Sequence, residues 1–147
     1  MKFRVIPNEQ TPKVEIVEDV VILENRKLLE KFIAFARRQF HCTGLAANQV
    51  SCDGVRIMLP FFAILYNLHW DIIIDPLIIS YEGKAEEKIE GCLTWLGKKI
   101  VAERYPIIDV EYLDIKGDKH TRTITGFEAQ IWQHEYDHLL GVEERFV

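Results

Sequence analysis

Three cysteines, Cys42, Cys52 and Cys92, are too few and too odd in number to staple a disulfide scaffold. They read as reduced thiols, with Cys52 a small packed hydrophobe and the others open to ligand or nucleophile roles. Positive charge is not in excess: 18 Lys and Arg stand against 23 Asp and Glu, a formal charge of -5. A dedicated nucleic-acid binder would show a basic stripe instead. Long apolar runs are also missing. The longest, Ile57–Tyr66, is about half a membrane span and contains Pro60, so no membrane association is expected. The N-terminal stretch MKFRVIPNEQTPKVEIVEDV has neither the apolar core of a signal peptide nor the Arg/Ser character of a transit peptide, and a cytoplasmic location is expected. No repeat, low-complexity tract or Pro/Gly/Ser linker divides the chain, which reads as one domain over residues 1–147.

At 48% hydrophobic residues the chain is rich enough in apolar side chains to build a core. From Asn25 to Phe40, apolar Leu28, Leu29, Phe32, Ile33, Ala36 and Phe40 alternate with Lys, Arg and Glu at the spacing of an amphipathic helix. A β-branched run, Asp71–Tyr81, is interrupted at Asp75-Pro76, which predicts an edge position or a bulge. Lys99–Arg104, Ile107–Ile115 and His120–Ile124 read as strands, the last two joined by a turn at Lys116-Gly117-Asp118-Lys119. Thr125-Gly126-Phe127-Glu128 has the form of a capping box, and the helix it opens is predicted to stop at Gly141. The expected class is α+β: mixed or antiparallel strands packed around this last helix, with the amphipathic helix preceding them.

The last helix carries His134-Glu135-Tyr136-Asp137-His138. Residues four apart share a face, so both imidazoles can reach one ion while Glu135 lies close enough to act on a water there. This is the HExxH arrangement of metallohydrolases. Phe127, Ile131, His134 and His138 fall on one stripe, predicted to face the core, where two buried imidazoles need partners.

A catalytic site of this kind needs a third protein ligand. Downstream, Glu144 has the spacing of the last ligand in the HExxHxxGxxH pattern, but no Met-turn follows it. Upstream, Cys92 in Glu90-Gly91-Cys92-Leu93-Thr94 offers a soft thiolate suited to iron or zinc, and is the preferred candidate.

Three segments together resemble the peptide deformylase family, whose blocks GxGLAAxQ, EGCLS and QHExDHLxG occur in this order. Here they are Cys42-Thr43-Gly44-Leu45-Ala46-Ala47-Asn48-Gln49, then Glu90-Gly91-Cys92-Leu93-Thr94, then Gln133-His134-Glu135-Tyr136-Asp137-His138-Leu139-Leu140-Gly141. The resemblance implies a hydrolase that removes the N-formyl group from N-formylmethionyl nascent chains and releases formate. One divalent ion per chain is implied on Cys92, His134 and His138, iron(II) by expectation, with zinc(II) or nickel(II) as substitutes. By the same resemblance Glu135 is general base, then acid. Gln49 and the backbone N–H of Leu93 hold the oxyanion. Gly44 and Gly91 let an extended substrate approach, Phe127 and Ile131 wall its methionine pocket, and Glu90 pairs with Arg104 to brace the cysteine loop. The partner is the formylated peptide, with the ribosome met in passing.

The blocks depart from the pattern at four places. Cys42 stands for a glycine, where a side chain bears on the groove or on a loop needing positive φ. Asn48 and Leu96 stand for prolines and Thr94 for serine. The form expected is a compact one without the C-terminal helical extension, similar to those encoded by phages. Two other readings use the same residues: a non-catalytic relative with a structural metal, and an HExxH metallopeptidase with Glu144 as ligand. Intact Glu135 and Gln49 speak against the first.

Overall fold

The computed structural model describes residues 1–15, 22 and 24–147. Residues 16–21 and 23, at the end of the stretch read above for targeting signals, lie outside the described residues. The order is β1 (Phe3–Val5), α1 (Arg26–Arg37), β2 (Gly44–Ala46), β3 (Val50–Cys52), β4 (Val55–Arg56), β5 (Phe61–Tyr66), β6 (His69–Glu82), β7 (Glu86–Glu90), β8 (Ile100–Arg104), β9 (Ile107–Leu113), β10 (Lys119–Thr125), α2 (Gly126–Leu140) and β11 (Arg145–Phe146). Short 3-10 turns at Ala47–Gln49 and Leu93–Trp95 follow β2 and β7.

The strands form three antiparallel sheets, ordered β1-β3-β4, β10-β9-β6-β5-β2 and β11-β8-β7. The five-stranded sheet is covered on both faces, which explains the unbroken apolar run in β5. Side chains alternate across a strand. Phe61 and Ala63 face α1 with Ile72 and Ile74, packing on Leu29, Phe32 and Phe35. Phe62 and Ile64 face α2 with Ile73, packing on Ile131, Trp132 and Leu139. The edge-on contact of Phe62 with Trp132, 5.0 Å between ring centres, anchors the helix that carries the two histidines.

Asp75-Pro76 makes a bulge, not an edge: β6 lies between β5 and β9. The β5 ladder ends at Phe61–Ile74 and the β9 ladder resumes at Leu77–Glu111, so the missing N–H of Pro76 costs no rung. The helix predicted over Asn25–Phe40 spans Arg26–Arg37, and Phe40 is exposed, stacked on His41.

The predicted capping box does not form. Thr125 ends β10 without a side-chain cap. Glu128 instead accepts two bonds from Arg122, at 3.0 and 3.1 Å, because a charged guanidinium outcompetes a neutral cap. The stop at Gly141 holds: with φ 69° it gives its N–H to His138, and Val142 gives its own to Asp137, a Schellman closure. A Cβ at Gly141 would lie 2.7 Å from the Lys13 nitrogen, so glycine is required twice over.

Candidate metal centre and its cleft

The helix α2 divides its histidine stripe between core and cleft. Ile131 packs with Ala129, Trp132 and Leu139 in the core. Phe127, Ile131, His134 and Glu135 line a cleft of about 540 Å³, with Phe127 64% exposed at its rim and Ile131 buried. The stripe thus faces both ways: Ile131 and His138 are buried as expected, while Phe127 and His134 open on the cavity. Gly44, Gln49, Gly91, Cys92 and Leu93 line the same cleft from the β2 and β7 ends. His138 sits behind it, 1% exposed.

The ligand atoms of Cys92, His134 and His138 all lie within 4.8 Å of one another, the one such cluster among the described residues. The two Nε2 atoms face each other at 3.2 Å, and Cys92 Sγ is 3.4 Å from His138 Nε2. Each imidazole has a carboxylate at its far nitrogen. Glu90 Oε1 is 2.8 Å from His134 Nδ1, and Glu144 Oε1 is 3.2 Å from His138 Nδ1. A group that accepts a hydrogen bond from Nδ1–H turns the Nε2 lone pair of a neutral ring inward. Glu90 stands there at His134, and Thr11 Oγ1, 3.4 Å away, stands there beside Glu144 at His138. Two such lone pairs and a sulfur converging on one point fit a borderline or soft divalent ion. Burial first, then the charges of His134 and Arg104, hold His138 well below the usual imidazole range. His134 is held well above it, against burial, by its hydrogen bonds to Cys92 and Glu90, so an incoming ion would displace the His134 Nε2 proton.

Glu144 therefore meets the ring of His138 on the side away from the cluster. It is not a third ligand, and the metallopeptidase reading that required it to be one is corrected.

Glu90 is itself held. Arg104 gives it a two-pronged bond, 3.0 Å from Nε and 2.8 Å from Nη2, and reaches Asp137 with Nη1 at 2.6 Å. Burial alone would raise the Glu90 carboxyl, but hydrogen bonds from His134 and Arg104 outweigh it and bring it to about 2. The Glu90–Arg104 pair implied by the resemblance is present, and Asp137 and Gln130 join it.

Glu135 is 4% exposed, and its Oε1 has no hydrogen-bond partner. Burial, reinforced by the charge of Glu90 and opposed by His134 and Arg104, raises its carboxyl to about 7. Its other oxygen lies against Gly44, where a Cβ would come within 2.6 Å of Oε2 and 2.9 Å of Ile131. The missing side chain at Gly44 thus makes room for Glu135 before any substrate arrives. Gly91, by contrast, has open space where its Cβ would be. Gly44→Ala is expected to push the Glu135 carboxylate aside, and a misplaced group of this kind costs ~10²-fold in kcat. Steady-state hydrolysis by the variant, with its metal content measured alongside, checks this.

Gln49 is buried and aimed from both ends. Its Oε1 accepts from the Ala46 N–H at 2.8 Å, while Nε2 donates to Cys92 Sγ at 3.3 Å and to Thr94 Oγ1 at 3.0 Å. The Thr94 hydroxyl thus serves where the pattern has serine. Asn48, in place of proline, donates to the carbonyls of Pro12 at 2.8 Å and His138 at 2.7 Å, bonds no proline could make. Cys42 lines the cleft but is not in a positive-φ conformation; that strain falls on His41, φ 56°. Burial, with the charge of Glu135 adding to it, pushes the Cys42 thiol up to about 12, and Sγ donates to the Gly44 carbonyl, so it packs as an inert thiol. Leu96 is exposed at the cleft mouth.

Two imidazoles from one helix turn and a loop thiol, beside a buried carboxyl and an amide donor that line a cleft, are the arrangement of a metallohydrolase. A family model described as polypeptide deformylase matches residues 8–143. The chain is 31% identical over 135 residues to peptide deformylase 2 of Nostoc sp., covering 88% of this chain and 73% of that protein. It is 40% identical over 102 residues to the peptide deformylase of Clostridium beijerinckii, covering 69% and 70%. The crystal structure of peptide deformylase from Thermotoga maritima superposes with a TM-score of 0.74 at 25% identity, over 97% of this chain and 94% of that one. The chain belongs to the polypeptide deformylase family.

Sequence reasoning missed Thr11, Asn48, Trp95 and Asp137 as supports of the site, and Glu144 in the position it takes. Thr11 Oγ1 bonds the His138 carbonyl at 3.0 Å, and the Trp95 indole N–H bonds Glu144. Only Asp137 left a local signal, as an acidic residue inside the ligand helix.

Proposed function

We propose that Cys92, His134 and His138 hold one divalent ion, iron(II) by preference with zinc(II) or nickel(II) as substitutes, on the central α2 helix of a single catalytic domain over residues 1–147. The activity is hydrolytic removal of the formyl group from N-formylmethionyl peptides, with release of formate. One observation carries the residue roles: a buried, unpartnered carboxylate oxygen on Glu135 beside the Cys/His/His cluster. A structural metal site needs neither a buried general base nor an oxyanion donor, and Glu135 and Gln49 both line the cleft, which speaks against the non-catalytic reading.

The ion supplies Lewis acidity, which makes water a nucleophile at neutral pH. Glu135 Oε1 accepts a proton from the attacking water and later delivers it to the amine nitrogen as the C–N bond breaks. A carboxyl near 7 is matched to both transfers. Gln49, pinned through its carbonyl by Ala46, exchanges its Nε2 bond to Cys92 Sγ for one to the oxyanion, and the Leu93 backbone N–H donates beside it; one such donor is worth ~10²–10³ in rate. The substrate lies extended past Gly91 and β2, the latter an edge strand with a free side. Phe127 and Ile131 receive the methionine side chain, Ile131 as buried wall and Phe127 as rim. Among the described residues no helix is long and apolar enough to cross a membrane. The chain acts in the cytoplasm, meeting the ribosome only as its product emerges.

Cys92→Ala tests the assignment. It is expected to abolish stoichiometric ion binding, read by elemental analysis after gel filtration, together with formate release. A variant that keeps one ion per chain would overturn the ligand set.

A further inference from the structure

Glu144 lies outside the motifs and outside the ligand cluster, yet its carboxylate is the partner of a ligand. One oxygen sits 3.2 Å from His138 Nδ1, and the other accepts the indole N–H of Trp95. Trp95 belongs to the turn that begins right after Cys92. A single carboxylate therefore joins the helix carrying two ligands to the loop carrying the third. The side chain is 11% exposed, and the segment bearing it is tied down on both sides. Gln10 bonds the Val142 carbonyl at 2.8 Å and accepts from the Glu144 N–H, and β11 pairs with β8. Trp95 is held in turn by Phe146, ring centres 5.1 Å apart, and by Lys98 over its face.

The arrangement mirrors the one at the other histidine. There Glu90 hydrogen-bonds His134 Nδ1 and is itself held by Arg104; here Glu144 lies 3.2 Å from His138 Nδ1, beside Thr11 Oγ1 at 3.4 Å, and is itself held by Trp95. The sources differ, since Glu90 comes from β7 and Glu144 from the stretch after α2.

We propose that Glu144 is a positioning residue for the metal centre: through its contact with Nδ1, which it shares with Thr11, it sets the ring orientation of His138, and through Trp95 it keeps the Cys92 turn in register with that ring. This rests on the assignment of Cys92, His134 and His138 as the ligands. Removing a carboxylate that orients a ligating histidine weakens ion binding by ~10–100-fold.

The test uses the full chain loaded with cobalt(II), whose visible and thiolate charge-transfer bands report ligand geometry, with affinity measured by competition against a chromogenic chelator. Glu144→Ala is expected to bind cobalt ~10–100-fold more weakly and, at saturation, to show shifted bands. Glu144→Gln keeps the size of the side chain and guards against a folding defect. Its amide can satisfy His138 or Trp95 but not both as acceptor, and it is expected to fall between parent and alanine variant. Gln10→Ala loosens the same tail without touching His138 or Trp95 and is expected to keep the parent spectrum at saturation. Affinity and bands unchanged in both Glu144 variants would overturn the proposal, as would a Gln10→Ala spectrum matching that of Glu144→Ala, which would make Glu144 a tail anchor. A parent chain that binds no cobalt would overturn the ligand assignment instead.

Discussion

Glu135→Gln is expected to lower formate release from a formylmethionyl dipeptide by ~10²–10⁴-fold while leaving one ion bound per chain. The substitution keeps the shape of the side chain and removes only its ability to carry a proton. Glu135 is not among the clustered ligand atoms, so ion content should not change. The fold should not suffer either, because a neutral amide replaces a buried carboxyl whose charged form is already disfavoured by desolvation. An unchanged melting temperature together with the loss of turnover separates a chemical role from a structural one. Turnover within tenfold of the parent would remove Glu135 from the proton path.

Arg104→Met is expected to destabilise the protein by about 3–5 kcal/mol, the range for breaking a buried ion pair by removing one partner. Arg104 and Glu90 are 6% and 7% exposed at the side chain, and methionine fills the arginine stem's volume without its charge. Glu90 would lose both prongs of its bond, and Asp137 its 2.6 Å partner. The carboxyl now held at about 2 by His134 and Arg104 against burial would move upward, and its grip on His134 Nδ1 would weaken. The same variant should therefore bind its ion more weakly, by ~10-fold or more. Urea unfolding of the metal-free proteins reads the first effect and chelator competition the second. A loss below about 1 kcal/mol would mean that the pair is solvated in solution.

How much of this was legible before the structure depends on what each feature rests on. The two histidines and Glu135 were legible because helical periodicity alone brings positions 134 and 138 to one face. Cys92 and Gln49 were legible through their short blocks, and the α+β class through alternating strand patterns between two helical stretches. The histidine stripe is core-facing only in part: Ile131 and His138 are buried, while Phe127 and His134 open on the cleft, because an apolar cleft wall and an apolar core draw on the same side chains. The capping box does not form: Thr125 and Glu128 have the right spacing, but Arg122 reaches Glu128 through the β10–α2 turn. Gly44 is legible as a cleft residue, but the need of Glu135, 91 residues on, for its missing Cβ is not. The supports at Thr11, Asn48, Trp95 and Glu144 have no periodicity to betray them. Each acts through a tertiary contact from a different part of the chain.

The most direct test of the whole account is formate release from a formylmethionyl peptide, with the acetylated peptide as control, by the anaerobically prepared iron(II)-loaded chain. Formate from the first substrate and no hydrolysis of the second, lost on chelation and restored by one equivalent of iron(II), is the predicted result. A folded chain holding one ion that leaves the formyl peptide intact would contradict it.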